Sequence, residues 1–93
     1  MELDISRKGY FMFTKSKCNY CTRAKKLVPH AKSVLCDDIL RTKRDLFLTA
    51  IQHESGREHR TFPMVFHNGK FVGGFNELQE YVDKEQAFNF CDF

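Results

Sequence analysis

Two cysteines three positions apart, Cys18 and Cys21, are the residues of this chain best suited to covalent chemistry. A Cys-x-x-Cys pair serves as an exchanging dithiol, as half of a zinc site, or as a short structural bridge. Zinc needs two further ligands at matching spacing, and Cys36 and Cys91 lie 55 residues apart and pair with nothing. A bridge across one helical turn closes too small a loop to stabilise a fold much. That leaves redox exchange. The reactive species is the thiolate, which is scarce at neutral pH unless its charge is stabilised. Lys15 and Lys17 add positive potential just before Cys18. The reading is therefore Cys18 as nucleophile and Cys21 as the resolving thiol.

The surrounding elements must hold that pair at a helix N-terminus. Residues 9–13 form an apolar and aromatic run that reads as a buried strand. A polar loop follows, and from Asn19 to about Val28 the residues Tyr20, Ala24, Leu27 and Val28 recur at helical spacing until Pro29. Cys18 thus sits where unpaired N–H groups and the helix dipole favour negative charge. Residues 33–37 read as a second strand, and Thr42 with Asp45 as a helix start. Leu46, Phe47, Ala50 and Ile51 give that helix its apolar face, and Ser55-Gly56 stops it. Residues 64–67 and 70–72 around Asn68-Gly69 make a hairpin, since Asn-Gly supplies the positive φ of a tight turn. Gly73-Gly74 breaks the second strand, and Asn76 caps a last helix carrying Leu78, Tyr81, Val82 and Gln86 on one face. The order β-α-β-α-β-β-α predicts an α/β fold: a four-stranded mixed β-sheet flanked by three helices.

Composition sets the outer bounds. The 93 residues suffice for one domain, read as 1–93 with a core over about 9–86 and an apolar tail at 87–93. Phe88, Phe90 and Phe93 are expected to dock that tail onto the domain. A formal charge of +3 is too mild to indicate nucleic acid. No apolar run nears the ~20 residues of a membrane span, and residues 1–8 are charged, so a reducing, cytoplasmic setting is expected. Cys36 reads as a buried, inert core thiol. Cys91, in the tail, has only its position to suggest a secondary redox role.

Three separated motifs resemble the glutaredoxin family in order and spacing. Phe13-Thr14-Lys15-Ser16-Lys17-Cys18-Asn19-Tyr20-Cys21 is similar to its aromatic-Thr-Lys-x-x-Cys-Pro-Tyr-Cys, and Arg23-Ala24-Lys25 follows it as in the family. Arg60-Thr61-Phe62-Pro63-Met64-Val65-Phe66 resembles its Thr-Val-Pro motif, and Gly73-Gly74-Phe75-Asn76-Glu77-Leu78 its Gly-Gly-x-x-Asp-Leu. The resemblance implies a thioredoxin-like fold and a dithiol enzyme that reduces disulfides, above all glutathione mixed disulfides, with glutathione as co-substrate. No tightly bound cofactor is expected. It also implies a cis bond before Pro63, with the backbone at Thr61 and Phe62 open to pair with an extended peptide such as glutathione.

By charge, Lys15 would meet the glycine carboxylate of glutathione, with Arg60 or His59 as helpers. Gly74, Asn76 and Glu77 would take the γ-glutamyl end, and Tyr20 would wall the sulfur. Glutathione, glutathionylated or disulfide-containing proteins, and ribonucleotide reductase are the partners the resemblance implies, for a monomer. Two departures stand out: Asn19 replaces the usual Pro, and Phe62 the usual Val. Some relatives lacking that proline hold a [2Fe–2S] cluster between two subunits through the first cysteine and glutathione, which would make Cys18 a shared ligand. A thioredoxin-like electron donor served by a flavoprotein reductase is the other rival. The absence of Trp before Cys18, and Tyr20 before Cys21, argue against it.

Overall fold

Alternation along Tyr10–Thr14 (β1) sends Phe11 and Phe13 to one side of a sheet and Met12 to the other. The computed structural model describes the backbone of residues 1–91 and the side chains of residues 1–85. β1 pairs in parallel with Lys32–Leu35 (β2), placing Phe13 opposite Val34, and antiparallel with Met64–His67 (β3), placing Phe13 opposite Met64. β3 turns through Asn68 and Gly69, φ 52° and 83°, into Lys70–Gly73 (β4). Two positive φ values in succession are what the Asn-Gly pair is suited to. The strand order is β2-β1-β3-β4.

Helices cover both faces. Asn19–Leu27 (α1) and Phe75–Cys91 (α4) pack on the Met12 side, where Ala24, Val28, Val65 and Leu78 are buried. On the Phe11 side, Asp37–Thr42 (α2) and Arg44–Ser55 (α3) contribute Leu40, Phe47, Leu48 and Ile51 against Phe13, Met64 and Phe66. Phe13 meets Phe47 and Phe66 edge-on, with centroids 5.3 and 6.1 Å apart. The architecture is the thioredoxin-like fold.

Among the described residues there are four helices where three are expected. The additional one, α2, occupies the stretch read as connection, because Cys36 ends the pairing with β1 and its carbonyl accepts from Leu40 N at 2.9 Å. Thr42 closes α2, donating its hydroxyl to Asp38 O at 2.9 Å, and does not start the next helix. β2 also ends sooner than expected, at Leu35, so Cys36 lies beyond the strand. In α3 the apolar face is Phe47, Leu48 and Ile51, while Leu46 is 57% exposed. α4 begins at Phe75, with Gly74 O accepting from Leu78 N at 3.0 Å, so Gly74 and not Asn76 is the cap. The α4 backbone runs on to Cys91, but the docking expected of Phe88, Phe90 and Phe93, the placement of Gln86 and the part played by the Cys91 thiol lie outside the described residues. Among the described residues, no helix is long and apolar enough to cross a membrane.

Candidate active site

β1 leaves the sheet at Thr14, whose carbonyl still accepts from Cys36 N at 2.8 Å. The loop that follows is tied to the start of α2: Ser16 N donates to Asp37 Oδ1 at 2.9 Å. Hydrogen bonds from the Ser16 side chain and backbone, and then Lys15 close by, hold the Asp37 carboxyl below the usual carboxylate range. Lys17 takes a left-handed φ of 54°, and this reversal delivers Cys18 to the head of α1.

Cys18 is the N-cap, in extended conformation, and its Sγ accepts from Cys21 N at 3.2 Å. A sulfur in place of a capping oxygen is therefore held by a helix amide. The first turn of α1 carries no acid, whereas α2, α3 and α4 begin with Asp37 and Asp38, Asp45 and Glu77. Nothing in that turn offsets the positive end of the dipole on which a Cys18 thiolate would rest. Cys18 and Cys21 are joined as a disulfide, their Cα atoms 5.2 Å apart. Cys21 is 3% exposed and Cys18 half-buried, so an external sulfur reaches only Cys18.

Cys18 Sγ lies 3.8 Å from the carbonyl oxygen of Phe62, and the Phe62–Pro63 peptide bond is cis. Beside it Tyr20, His59, Thr61, Phe62, Gly74, Phe75, Asn76 and Glu77 enclose a groove of about 370 Å³. Lys15 Nζ stands 5.8 Å from the Phe62 ring, at the groove's edge. Glu77 Oε1 accepts from Gly74 N at 2.8 Å, so its carboxylate also closes the N-terminus of α4. Pro63 lies buried beneath.

Arg60 is not part of this wall. Its guanidinium pairs with Glu58 at 3.2 Å and lines a separate hollow with Asp45 and Leu48. His59 does reach the groove, its ring edge-on to Phe71 at 5.1 Å and its buried Nε2 without a hydrogen-bond partner among the described residues. Three contributors were not among the site residues expected from the sequence. Phe75 faces Tyr20 at 5.6 Å, and Arg23 lies over both rings at 5.7 Å. The i, i+3 spacing of Tyr20 and Arg23 was a signal for that contact. Asp37, which holds the loop, had none. A [2Fe–2S] cluster takes four thiolates or imidazoles, and with Cys21 and Cys36 buried the one described accessible thiol, Cys18, would hold such a cluster only between two subunits with glutathione completing the ligands. Among the described residues, no group of three or more His, Cys, Asp or Glu is placed to hold a metal ion.

The Glutaredoxin family model matches residues 11–72, from β1 through β4. The chain belongs to the glutaredoxin family. The family, the fold and the Cys18–Cys21 pair support thiol–disulfide exchange as its chemistry. Among solved glutaredoxins, it resembles glutaredoxin C1 of Populus tremula × tremuloides in its holo form at 28% identity and a TM-score of 0.67, over 88% of this chain and 81% of that one. The buckwheat glutaredoxin–glutathione complex gives 28% and 0.67, over 83% and 70%. A curated relative, the hybrid peroxiredoxin hyPrx5 of Haemophilus influenzae, is 36% identical over 70 residues. These make up 75% of this chain but only 27% of that protein.

Proposed function

We propose that this glutaredoxin reduces glutathione mixed disulfides and protein disulfides, with glutathione as the electron donor. The observation that carries the reading is the Cys18 sulfur at a helix head, facing the Phe62 carbonyl and the groove beside it. Glutathione is an extended peptide with two carboxylates and one ammonium. The backbone at Thr61 and Phe62 suits pairing with it in β fashion. Lys15 answers the glycine carboxylate, with His59 of the groove wall as a helper. The backbone N–H groups at Asn76 and Glu77 answer the γ-glutamyl carboxylate, and the Glu77 side chain the ammonium. Tyr20 and Phe75 wall the groove. That a buckwheat relative was solved with glutathione supports the assignment.

In the first step the Cys18 thiolate attacks the glutathione sulfur of a protein–glutathione disulfide. The S–S bond breaks, the protein thiolate leaves and takes a proton, and a Cys18–glutathione disulfide remains. A second glutathione thiolate attacks that glutathione sulfur, releasing oxidised glutathione and the Cys18 thiolate. With an intramolecular protein disulfide, Cys21 instead attacks the Cys18 sulfur, and two glutathiones reopen the resulting bridge. Such chemistry belongs to a monomer in a reducing compartment such as the cytoplasm, where glutathione is kept reduced.

Turnover of a small glutathione mixed disulfide, coupled to glutathione reductase, tests this directly. Cys18→Ser is expected to abolish it. Cys21→Ser is expected to retain it while losing reduction of protein disulfides. Normal turnover by Cys18→Ser, or electrons drawn from thioredoxin reductase in preference to glutathione, would overturn the proposal.

A further inference from the structure

Charge is unevenly shared along this chain. Residues 14–36 hold six of its fifteen Lys and Arg and none of its twelve Asp and Glu. The other seventy residues therefore carry nine bases against twelve acids, and a net charge of +3 conceals a cationic stretch on an acidic body. Five of the six cations, Lys15, Lys17, Arg23, Lys25 and Lys26, belong to the loop before Cys18 and to α1, and all five are exposed. Two are fixed at the groove: Lys15 beside the Phe62 ring and Arg23 over Tyr20 and Phe75. Lys17 immediately precedes Cys18, and Lys25 and Lys26 extend the charge along α1. Among the described residues none of the five has a carboxylate within 4.0 Å, although α4, packed beside α1, carries Glu80 and Asp83.

Like charges gathered without counter-ions around a reactive sulfur raise the local concentration of anionic partners. Glutathione needs few of them, since its carboxylates are answered inside the groove. Lys25 and Lys26 lie further along the helix, where only a larger partner meets them. That partner must also deliver a disulfide to Cys18, which nucleic acid does not carry.

We infer that this rim docks acidic protein surface, so that the preferred protein substrates carry their disulfide among Asp and Glu. The inference rests on the proposed disulfide chemistry for its substrates, but the docking is measurable apart from it. Two glutathionylated peptides of equal length, one flanked by glutamates and one by lysines, are compared with the small mixed disulfide of glutathione and mercaptoethanol. At about 20 mM salt the glutamate peptide is expected to show about tenfold higher kcat/KM than the lysine peptide, falling toward parity at about 500 mM as the charges are screened. Lys25→Glu/Lys26→Glu is expected to remove at least half of that preference while leaving turnover of the small disulfide unchanged. Fluorescence anisotropy follows docking alone, using the same peptides with Ser in place of Cys and a single-stranded oligonucleotide of equal charge. Equal binding of the two peptides, or a preference indifferent to the charge reversal, overturns the inference. Tighter binding of the oligonucleotide overturns it in favour of nucleic acid. If no glutathione disulfide is turned over while the glutamate peptide still binds preferentially, the glutathione chemistry fails and the acidic docking stands.

Discussion

Cys18, Cys21 and Cys36 carry one functional group and differ only in where they sit. Cys18 faces a groove at a helix head, Cys21 lies one turn inward and buried, and Cys36 sits in the core below the strand it follows. Burial pushes the Cys36 thiol from 9.0 up to about 11, the nearby Asp37 adding to the effect and a backbone hydrogen bond from Thr14 opposing it. A raised folded value means the native state keeps its proton where the unfolded chain has lost it. Stability conferred by that proton is whole below pH about 9 and declines as pH climbs toward about 11. Iodoacetamide at pH about 9 is accordingly expected to label Cys18 in the reduced native protein and to leave Cys36 unlabelled until denaturant is added, as mass spectrometry would show. At this scale the thiols were legible because their motif is contiguous. Asp37 and Phe75 were not, since each acts through a partner distant in sequence, Ser16 for one and Tyr20 for the other.

Among elements, the entry to α4 is the most tightly determined. Gly73 has a φ of 134°, and a Cβ there would lie 2.7 Å from Glu77 Cβ and 2.8 Å from Glu77 Oε1, the atom that accepts from Gly74 N. Gly73→Ala therefore strains the backbone and dislodges the capping carboxylate together. A loss of about 2–4 kcal/mol is expected in urea titrations, together with weakened glutathione turnover. Gly56→Ala, at the left-handed end of α3 where a Cβ meets nothing within 4 Å, is expected to cost only about 1 kcal/mol and leave turnover intact. The hairpin and α1 were readable because Asn68-Gly69 and the Tyr20–Ala24–Leu27 spacing are local signals. α2 was missed for the opposite reason. Six residues, four of them Asp37, Asp38, Arg41 and Thr42, present too short a pattern, and only Leu40 is buried. β2 was misplaced because all four of its residues are exposed at the sheet edge, leaving no alternation to read.

For the molecule as a whole, the two ends of the sheet do different work. At the end away from Cys18, Tyr10 stacks on His67 with centroids 4.1 Å apart and donates to Glu85 at 3.1 Å, while the Tyr81 hydroxyl and His67 Nδ1 meet at 2.7 Å. This cluster ties β1, β3 and α4 together. Tyr81→Phe is expected to lower stability by about 1 kcal/mol with no change in disulfide turnover. Between the two ends, Phe66 is fully buried on the central strand β3 against Phe13 and Phe71. Phe66→Ala is expected to cost about 3–5 kcal/mol, much of what a domain this size possesses, and to be seen as a large fall in the urea midpoint.

The strand order β2-β1-β3-β4 also bears on how the protein is made. Both cysteines and the cationic rim leave the ribosome well before Phe62, Phe75 and Glu77, which form the opposite wall of the groove. Until β3 has emerged, β1 has only the exposed edge strand β2 beside it, and a nascent chain carries two thiols near lysines with no recess to select their partners. The dithiol is thus synthesised before the wall that selects its partners.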